Sequence, residues 1–420
     1  MNFSLNLSAI IKFVGFLAIA TCFVQCTSEP ETLNAEKVKA ITVNISVDKP
    51  WSERMALSIM KRAPEAWMND FQKEPQWTYT IGLVMNSLNK ISEEKKNPLY
   101  YEYARGYGDT MILADGSIRD YDIASFNIDN IAPGPYLFAM YERTGEERYK
   151  MAINTLKHQL TWQPQTTDGG YWHKLRYPWQ IWLDGLFMGE PFQAEYAKEF
   201  NQPELFDHIA HQFILAEKHT KDAETGLLYH GWDESRVQSW SNPETGCSSH
   251  FWSRAIGWYC MGLVDALDFF PESHPKRAEL IAILNRTLEA IVKVQDPQTN
   301  TWWQVLNLPD EEGNYLESTG SCMFTYAMIK GVNEGYLGEE YRAIAQKSYD
   351  GILKTFIKVD DDGEIHLTNC CAVAGLGGDP YRNGSYDYYI GEPIRDNDPK
   401  GIGPFMSASL EFEKNSLSKM

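Results

Sequence analysis

From Trp51 almost to the C-terminus the sequence repeats one physical unit. Apolar side chains recur every third or fourth residue, and clusters of Gly, Pro, Asn and Asp close each run. That spacing gathers the apolar side chains on one face of a helix, which must then be buried against another element. Twelve runs fit, at roughly 51–66, 79–93, 98–113, 132–143, 146–161, 184–199, 203–219, 253–269, 275–294, 321–333, 338–355 and 402–414. Strand-like runs are short, such as Glu364-Ile-His-Leu-Thr368. The helices alternate in kind. One of each pair begins near a glycine among aromatic or small residues: Gly82, Gly134, Gly189, Gly257, Gly320 and Gly403. Many of these are followed by a more charged helix, as in Arg143-Thr-Gly-Glu-Glu-Arg-Tyr149. Small residues let backbones approach closely, so the first kind suits a crowded interior. Six inner and six outer helices predict an all-α fold, an (α/α)6 six-hairpin barrel over residues 51–415. A helical solenoid competes, but its repeats are shorter and more regular than these.

Ahead of the barrel, residues 1–26 read as an export signal. Lys12 precedes an apolar run from Phe13 to Ala20, and small or polar residues follow. The run is short for a permanent spanning helix. Cys22 follows Ile-Ala-Thr and Cys26 follows Phe-Val-Gln, and both resemble bacterial lipoprotein cleavage sites. The polar Thr-Ser-Glu-Pro-Glu after Cys26 suits a tether, so residues 27–50 are expected to lead from it into the first helix. The expectation is an exported bacterial protein, periplasmic or held to a membrane only through a lipid on Cys26.

Composition excludes several classes of function. A net charge of −19 argues against nucleic acid as a partner, because phosphate binding needs a basic footprint. A few local Arg and Lys still suffice for a small anion. Beyond the signal, Cys247, Cys260, Cys322, Cys370 and Cys371 make neither a disulfide framework nor a zinc motif. The run Asp360-Asp-Asp-Gly-Glu364 lacks full calcium-loop spacing and reads as a turn. No metal site is expected.

The unusual residues sit just before the inner helices. Tyr171 to Met188 packs Trp172, Trp179, Trp182, His173, Lys174, Arg176 and Asp184 into one stretch, and Pro178 bars a helix through its middle. Asp184 falls where a loop enters a helix, which suits an N-cap as well as catalysis. Other such loops carry Trp77 and Tyr79, Phe126-Asn-Ile-Asp-Asn130, Leu228–Glu234, Ser249–Trp258 and Gly384–Glu392. In a barrel these loops meet at one mouth, which implies a deep polar pocket with aromatic walls. Flat rings of this kind stack on sugars.

Asp129, W-x-D-G-L-F-M at 182–188, G-L-L-Y-H-G-W-D at 226–233 and W-S-R-A-x-G-W at 252–258 occur in an order that resembles the unsaturated rhamnogalacturonyl hydrolases. These form glycoside hydrolase family 105, related to the unsaturated glucuronyl hydrolases. The resemblance implies the six-hairpin barrel and an unusual chemistry. A terminal uronic acid with a C4–C5 double bond, left by a polysaccharide lyase, is protonated at C4, and water adds at C5. The hemiketal then opens and frees the next sugar, commonly rhamnose, without metal or organic cofactor. Asp184 would be the acid and then the base, kept protonated by burial beside Trp182 and a second carboxylate, Asp129. Asp129 has a helix cap before Ile131 as its alternative. Arg254 would pair with the substrate carboxylate, and Tyr79, His173, Lys174 and His230 would line the pocket. Trp182, Trp252 and Trp258 would form its walls, although Trp258 also suits the core. Unsaturated glucuronyl hydrolase activity and a non-catalytic glycan-binding lipoprotein are the competing functions. A carboxylate pair in a pocket separates the last, since binding alone does not require it.

Overall fold

The computed structural model describes residues 45–417, so the expected signal and most of the tether lie outside the described residues. The helices in chain order are α1 (Trp51–Arg62), α2 (Tyr79–Lys95), α3 (Pro98–Met111), α4 (Gly134–Thr144), α5 (Glu147–Thr161), α6 (Asp184–Glu199) and α7 (Leu205–Thr220). They continue with α8 (Ser253–Ala266), α9 (Arg277–Lys293), α10 (Ser318–Asn333), α11 (Glu340–Thr355), α12 (Tyr386–Gly391) and α13 (Pro399–Leu417). Their starts have local causes. Thr78 Oγ1 accepts from the Ile81 N–H, Asn97 caps α3 ahead of Pro98, and the buried Glu317 carboxylate accepts from the N–H groups of Thr319 and Gly320.

Helices α2, α4, α6, α8, α10 and α13 pack side by side into a closed ring, while α3, α5, α7, α9 and α11 each back onto the preceding inner helix. The sixth outer helix is α1, which packs on α13 and so joins the two ends of the chain. Glu413 fastens that joint, accepting from Ser52 N–H at 3.0 Å and Ser52 Oγ at 2.6 Å, with Lys95 paired to it at 2.8 Å. Gly403 closes the ring on α2: a Cβ there would lie 2.5 Å from Leu83 Cγ, so any larger residue would prise α13 off. The inner faces bury residues such as Ile81, Leu137, Phe192, Leu263 and Phe324, each contributing about 1.5–3 kcal/mol.

This is the all-α (α/α)6 barrel, with helix ends within a few residues of those read from periodicity. Helix α12 is the exception: the sequence reads its stretch as a mouth loop. It is a helix of six residues capped by Ser385, too short to leave a periodic signal. Four two-stranded antiparallel ladders link the loops: β1 (Gln180–Trp182) with β2 (Gly231–Asp233), β3 (Trp302–Trp303) with β4 (Leu316–Glu317), β5 (Ile357–Val359) with β6 (Ile365–Leu367), and β7 (Cys370–Cys371) with β8 (Ile394–Arg395). The β1–β2 ladder matters most for the site. Its register sets Trp182 opposite Gly231, and the Leu183 N–H donates to the His230 carbonyl at 3.0 Å, which holds Asp184 and His230 side by side at the same end of the ladder.

Candidate active site

Asp184 opens α6 without capping it, since no side chain caps that end. Its carboxylate turns instead toward His230, whose Nε2 lies 3.2 Å from Asp184 Oδ2, out of line for a hydrogen bond. His230 is wholly buried, and its other nitrogen, Nδ1, is 2.7 Å from the hydroxyl of Tyr389. Burial pushes the imidazole down, with Asp184 pulling the other way, so at neutral pH the ring is uncharged. Burial would lift the Asp184 carboxyl, yet His230 and, behind it, His173 outweigh that and hold it below the usual carboxylate range. The expectation that burial beside Trp182 and a second acid keeps Asp184 protonated is therefore corrected. Asp129 does push the carboxyl up, but by less than the two imidazoles pull it down.

Asp129 lies in a 3-10 turn, Ile128–Ile131, whose cap is Asn127, accepting from the Asp129 N–H at 3.2 Å. The Asp129 carboxylate is thus free of capping. It forms an ion pair with Lys174 Nζ, and its other oxygen is 3.2 Å from His173 Nε2. Burial opposes this charge, but Lys174 and then His173 prevail and hold the carboxyl well below the ordinary range. His173 therefore touches one acid and influences the other. The two carboxylates, 55 positions apart in the chain (184 minus 129), belong to one site.

The aromatic residues come together as expected, but not as bare walls. Trp182 keeps only 4 % of its surface exposed. His173 stacks on it at 4.4 Å and Tyr177 at 4.9 Å, both nearly parallel, and His230 meets its edge at 5.6 Å. Protein rings, and not an open sugar platform, cover Trp182, because it lies on a strand buried along its whole length. Trp252 lies against His230 at 4.8 Å and Trp258 packs between Phe187 and Tyr79, and both are buried. They back the site rather than face it. Tyr79, half-buried at the start of α2, does line the mouth.

Arg254 is 1 % exposed, with its guanidinium over the Trp252 ring at 4.6 Å. It donates through Nη1 to the Cys371 carbonyl, while Nε has no partner. Burial opposes its charge, yet Cys371, Glu317 and Asp398 together keep it a cation. A cavity of about 340 Å³ opens between Tyr79, Asn127, Asp129, Arg395 and Lys400, and one of about 410 Å³ lies beside Lys174 and Arg176. Asp184 is set back from the lining of both.

Sequence reasoning missed Tyr389, Tyr177 and Arg382. Arg382 donates to the Tyr177 hydroxyl at 2.7 Å and spreads over Trp182 at 5.7 Å. The stretch Gly384–Glu392 stood out for its tyrosines, but nothing in it reveals which one reaches His230. Among the described residues Asp360, Glu364 and His366 come within metal-ligating reach of one another. They sit on the β5–β6 hairpin, and Glu364 is already paired with Arg62 and Lys61.

The family model described as Glycosyl Hydrolase Family 88 matches residues 51–416. A solved glycoside hydrolase of family 105 from Clostridium acetobutylicum is 44% identical, with a TM-score of 0.84 over 87% of this chain and 100% of that one. Protein Atu3128 of Agrobacterium fabrum is 42% identical over 53% of this chain and 97% of its own length. The unsaturated rhamnogalacturonyl hydrolase YesR of Bacillus subtilis is 24% identical over 75% of this chain and 86% of its own. With its barrel and its pair of acids, the chain belongs to glycosyl hydrolase family 88 and stands with the related family 105 enzymes: it is a glycoside hydrolase.

Proposed function

We propose that this enzyme releases a terminal 4,5-unsaturated galacturonic acid linked to rhamnose, from lyase-cut pectin, by hydrating the double bond. The observation that carries the reading is the unequal pair of acids, Asp184 buried and Asp129 at the edge of the cavity. Asp129 is committed to Lys174 and stays a carboxylate, whereas Asp184 faces a neutral imidazole that leaves it free to exchange a proton. Asp184 is ionised in the free chain, so it must gain its proton as substrate binds. A uronate arriving beside it and the loss of nearby water both act as burial does, lifting the carboxyl. The O–H proton of Asp184 then passes to C4 and the double bond's electrons form the new C–H bond. The ring oxygen stabilises the cation left at C5. Water adds there as Asp184 takes back a proton, the hemiketal opens, and the C1–O bond breaks to free the aglycone.

Asp129 orients the sugar or the water, and Lys174 and His173 hold it there. Arg254 remains charged in a dry setting and offers Nε toward the substrate carboxylate. YesR, named an unsaturated rhamnogalacturonyl hydrolase, supports rhamnose as the adjoining sugar. We place the mature protein outside the cytoplasm, lipidated at Cys26 or secreted, on the strength of Lys12 and the apolar run after it. Mass spectrometry of the native N-terminus tests this, and an intact Met1 terminus in cytoplasmic fractions would sink it.

The test of the chemistry is turnover of lyase-generated unsaturated disaccharides in heavy water. The expected result is loss of the double bond's ultraviolet absorbance together with a deuteron at C4 of the product. Cleavage of the saturated analogue at a comparable rate, with no label at C4, would falsify the hydration reading.

A further inference from the structure

Tyr389 is buried completely and lies 159 positions from His230 in sequence, yet its hydroxyl is 2.7 Å from His230 Nδ1. Neither end of this contact is free to drift. The Tyr389 carbonyl accepts from Gln304 Nε2 at 3.0 Å, the same Gln304 accepts from Trp252 Nε1 at 3.1 Å, and the Trp252 ring stacks on Tyr389. Ser385 caps the short helix that carries the tyrosine. A neutral imidazole bears one proton, on either nitrogen, and its neighbours choose which. A tyrosine hydroxyl donating to Nδ1 leaves the proton on Nε2, the nitrogen that faces Asp184.

We propose that Tyr389 is a positioning residue: through the chain Tyr389–His230–Asp184 it fixes the Nε2–H tautomer of His230 and so steadies the ionised Asp184 of the resting enzyme. The kinetic part of this rests on the proposed function, while the tautomer does not. The titratable and charged groups acting on His230 are Asp184 from α6, Arg382 from the loop after β7, His173 from the loop before β1, and Tyr389 from α12. Arg382 and His173 both disfavour a charged imidazole, and the tyrosine remains an un-ionised donor because burial pushes its own proton loss up. The relay is therefore one of neutral groups ending at a carboxylate. Removing the tyrosine hydroxyl leaves Nδ1 buried without a donor and lets the other tautomer compete, which turns a bare nitrogen lone pair, in place of an N–H dipole, toward the Asp184 carboxylate. The Asp184 carboxyl then rises.

The experiment is nitrogen-15 NMR of the imidazoles in the full chain, with His230 assigned from a His230→Asn variant. In the unsubstituted protein His230 should show a protonated Nε2 and an accepting Nδ1 near neutral pH. In Tyr389→Phe the two nitrogens should approach a mixed tautomer. On the acid plateau, where Asp184 is protonated in both proteins, kcat should fall by up to about tenfold, because a carboxyl of higher pKa gives up its proton less readily, with KM little changed. Because Asp184 must be protonated to act, raising its pKa should move the alkaline limb of the kcat profile to higher pH. A protonated Nδ1 in the unsubstituted protein overturns the proposal, and that measurement needs no variant to fold. So does an unchanged tautomer and pH profile in Tyr389→Phe, which would make the tyrosine a packing residue. If the tautomer behaves as stated but no unsaturated uronide is consumed, the functional reading falls and the positioning role stands.

Discussion

Asp129 and Asp184 are the same side chain, both largely buried, at two addresses in one site, and their surroundings give them opposite freedom. Asp129 meets a full positive charge on Lys174 and a second donor in His173, and the burial that would neutralise it is overcome by a wide margin. Asp184 has no lysine beside it, only the His230 imidazole with His173 behind, and burial comes closer to winning. Glu190, two turns into α6, completes the series: burial dominates there, with only the Gln193 amide in contact and Lys157 farther off, and its carboxyl is pushed up to about 8. Burial sets the demand in all three cases, and the nearest partner decides the protonation state. A residue that must both give and take a proton belongs in the middle of that series, where a modest change of surroundings tips it.

The comparison can be broken hardest at Asp184. Asp184→Asn should retain the circular dichroism of the fold and lose turnover by about 10²–10⁴-fold, the range of a general acid–base group. Substantial residual activity would move the proton transfer elsewhere, with Asp129 first in line. Breaking the other side, Lys174→Met removes the cation that holds Asp129 down. With only His173 left beside it, the partly exposed carboxylate should cost less than the roughly 3–5 kcal/mol of a fully buried broken pair, read as a lower urea midpoint at pH 7. Asp129's lowered pKa adds stability above the ordinary carboxylate range, which is lost as pH falls through its depressed value. With Met at 174 the carboxyl rises, so this stability is gone at neutral pH and the destabilisation relative to the parent shrinks in acid.

Arg254→Ala tests whether the buried cation faces the substrate or only the Cys371 carbonyl. Binding calorimetry with an unsaturated uronide on the Asp184→Asn background should lose about 1.5–3 kcal/mol, as for a charge-assisted hydrogen bond. Unchanged affinity would make Arg254 structural. The smallest effect should come from Glu190→Gln, which sharpens the reference point. The raised pKa of Glu190 means that its share of stability is full below the unfolded carboxyl's pKa and drains away as pH climbs toward about 8. The variant's melting temperature should therefore fall less than the parent's between pH 6 and pH 9, with activity at pH 6 unchanged. Parallel melting curves would mean that Glu190 is better solvated than its packing implies.

What the sequence by itself determined is what depends on neighbours three and four residues away. Apolar periodicity and Gly–Pro punctuation mark twelve helices, their alternation marks inner and outer, and the W-x-D-G-L-F-M and W-S-R-A-x-G-W runs place Asp184 and Arg254 at the starts of inner helices. Ring closure through α1 and α13 is the structure's addition: the odd outer helix at one end packs on the unpaired inner helix at the other. The tertiary structure decided everything that depends on distance between remote segments. That Trp182 is covered by His173 and Tyr177, that Trp252 and Trp258 stand behind the pocket, and that Tyr389 is the tyrosine against His230 are facts of packing between loops. The protonation of Asp184 belongs there too. Coulombic attraction and desolvation act through a few ångströms of space, and no spacing along the chain encodes whether a carboxylate's neighbour is a lysine or a neutral imidazole.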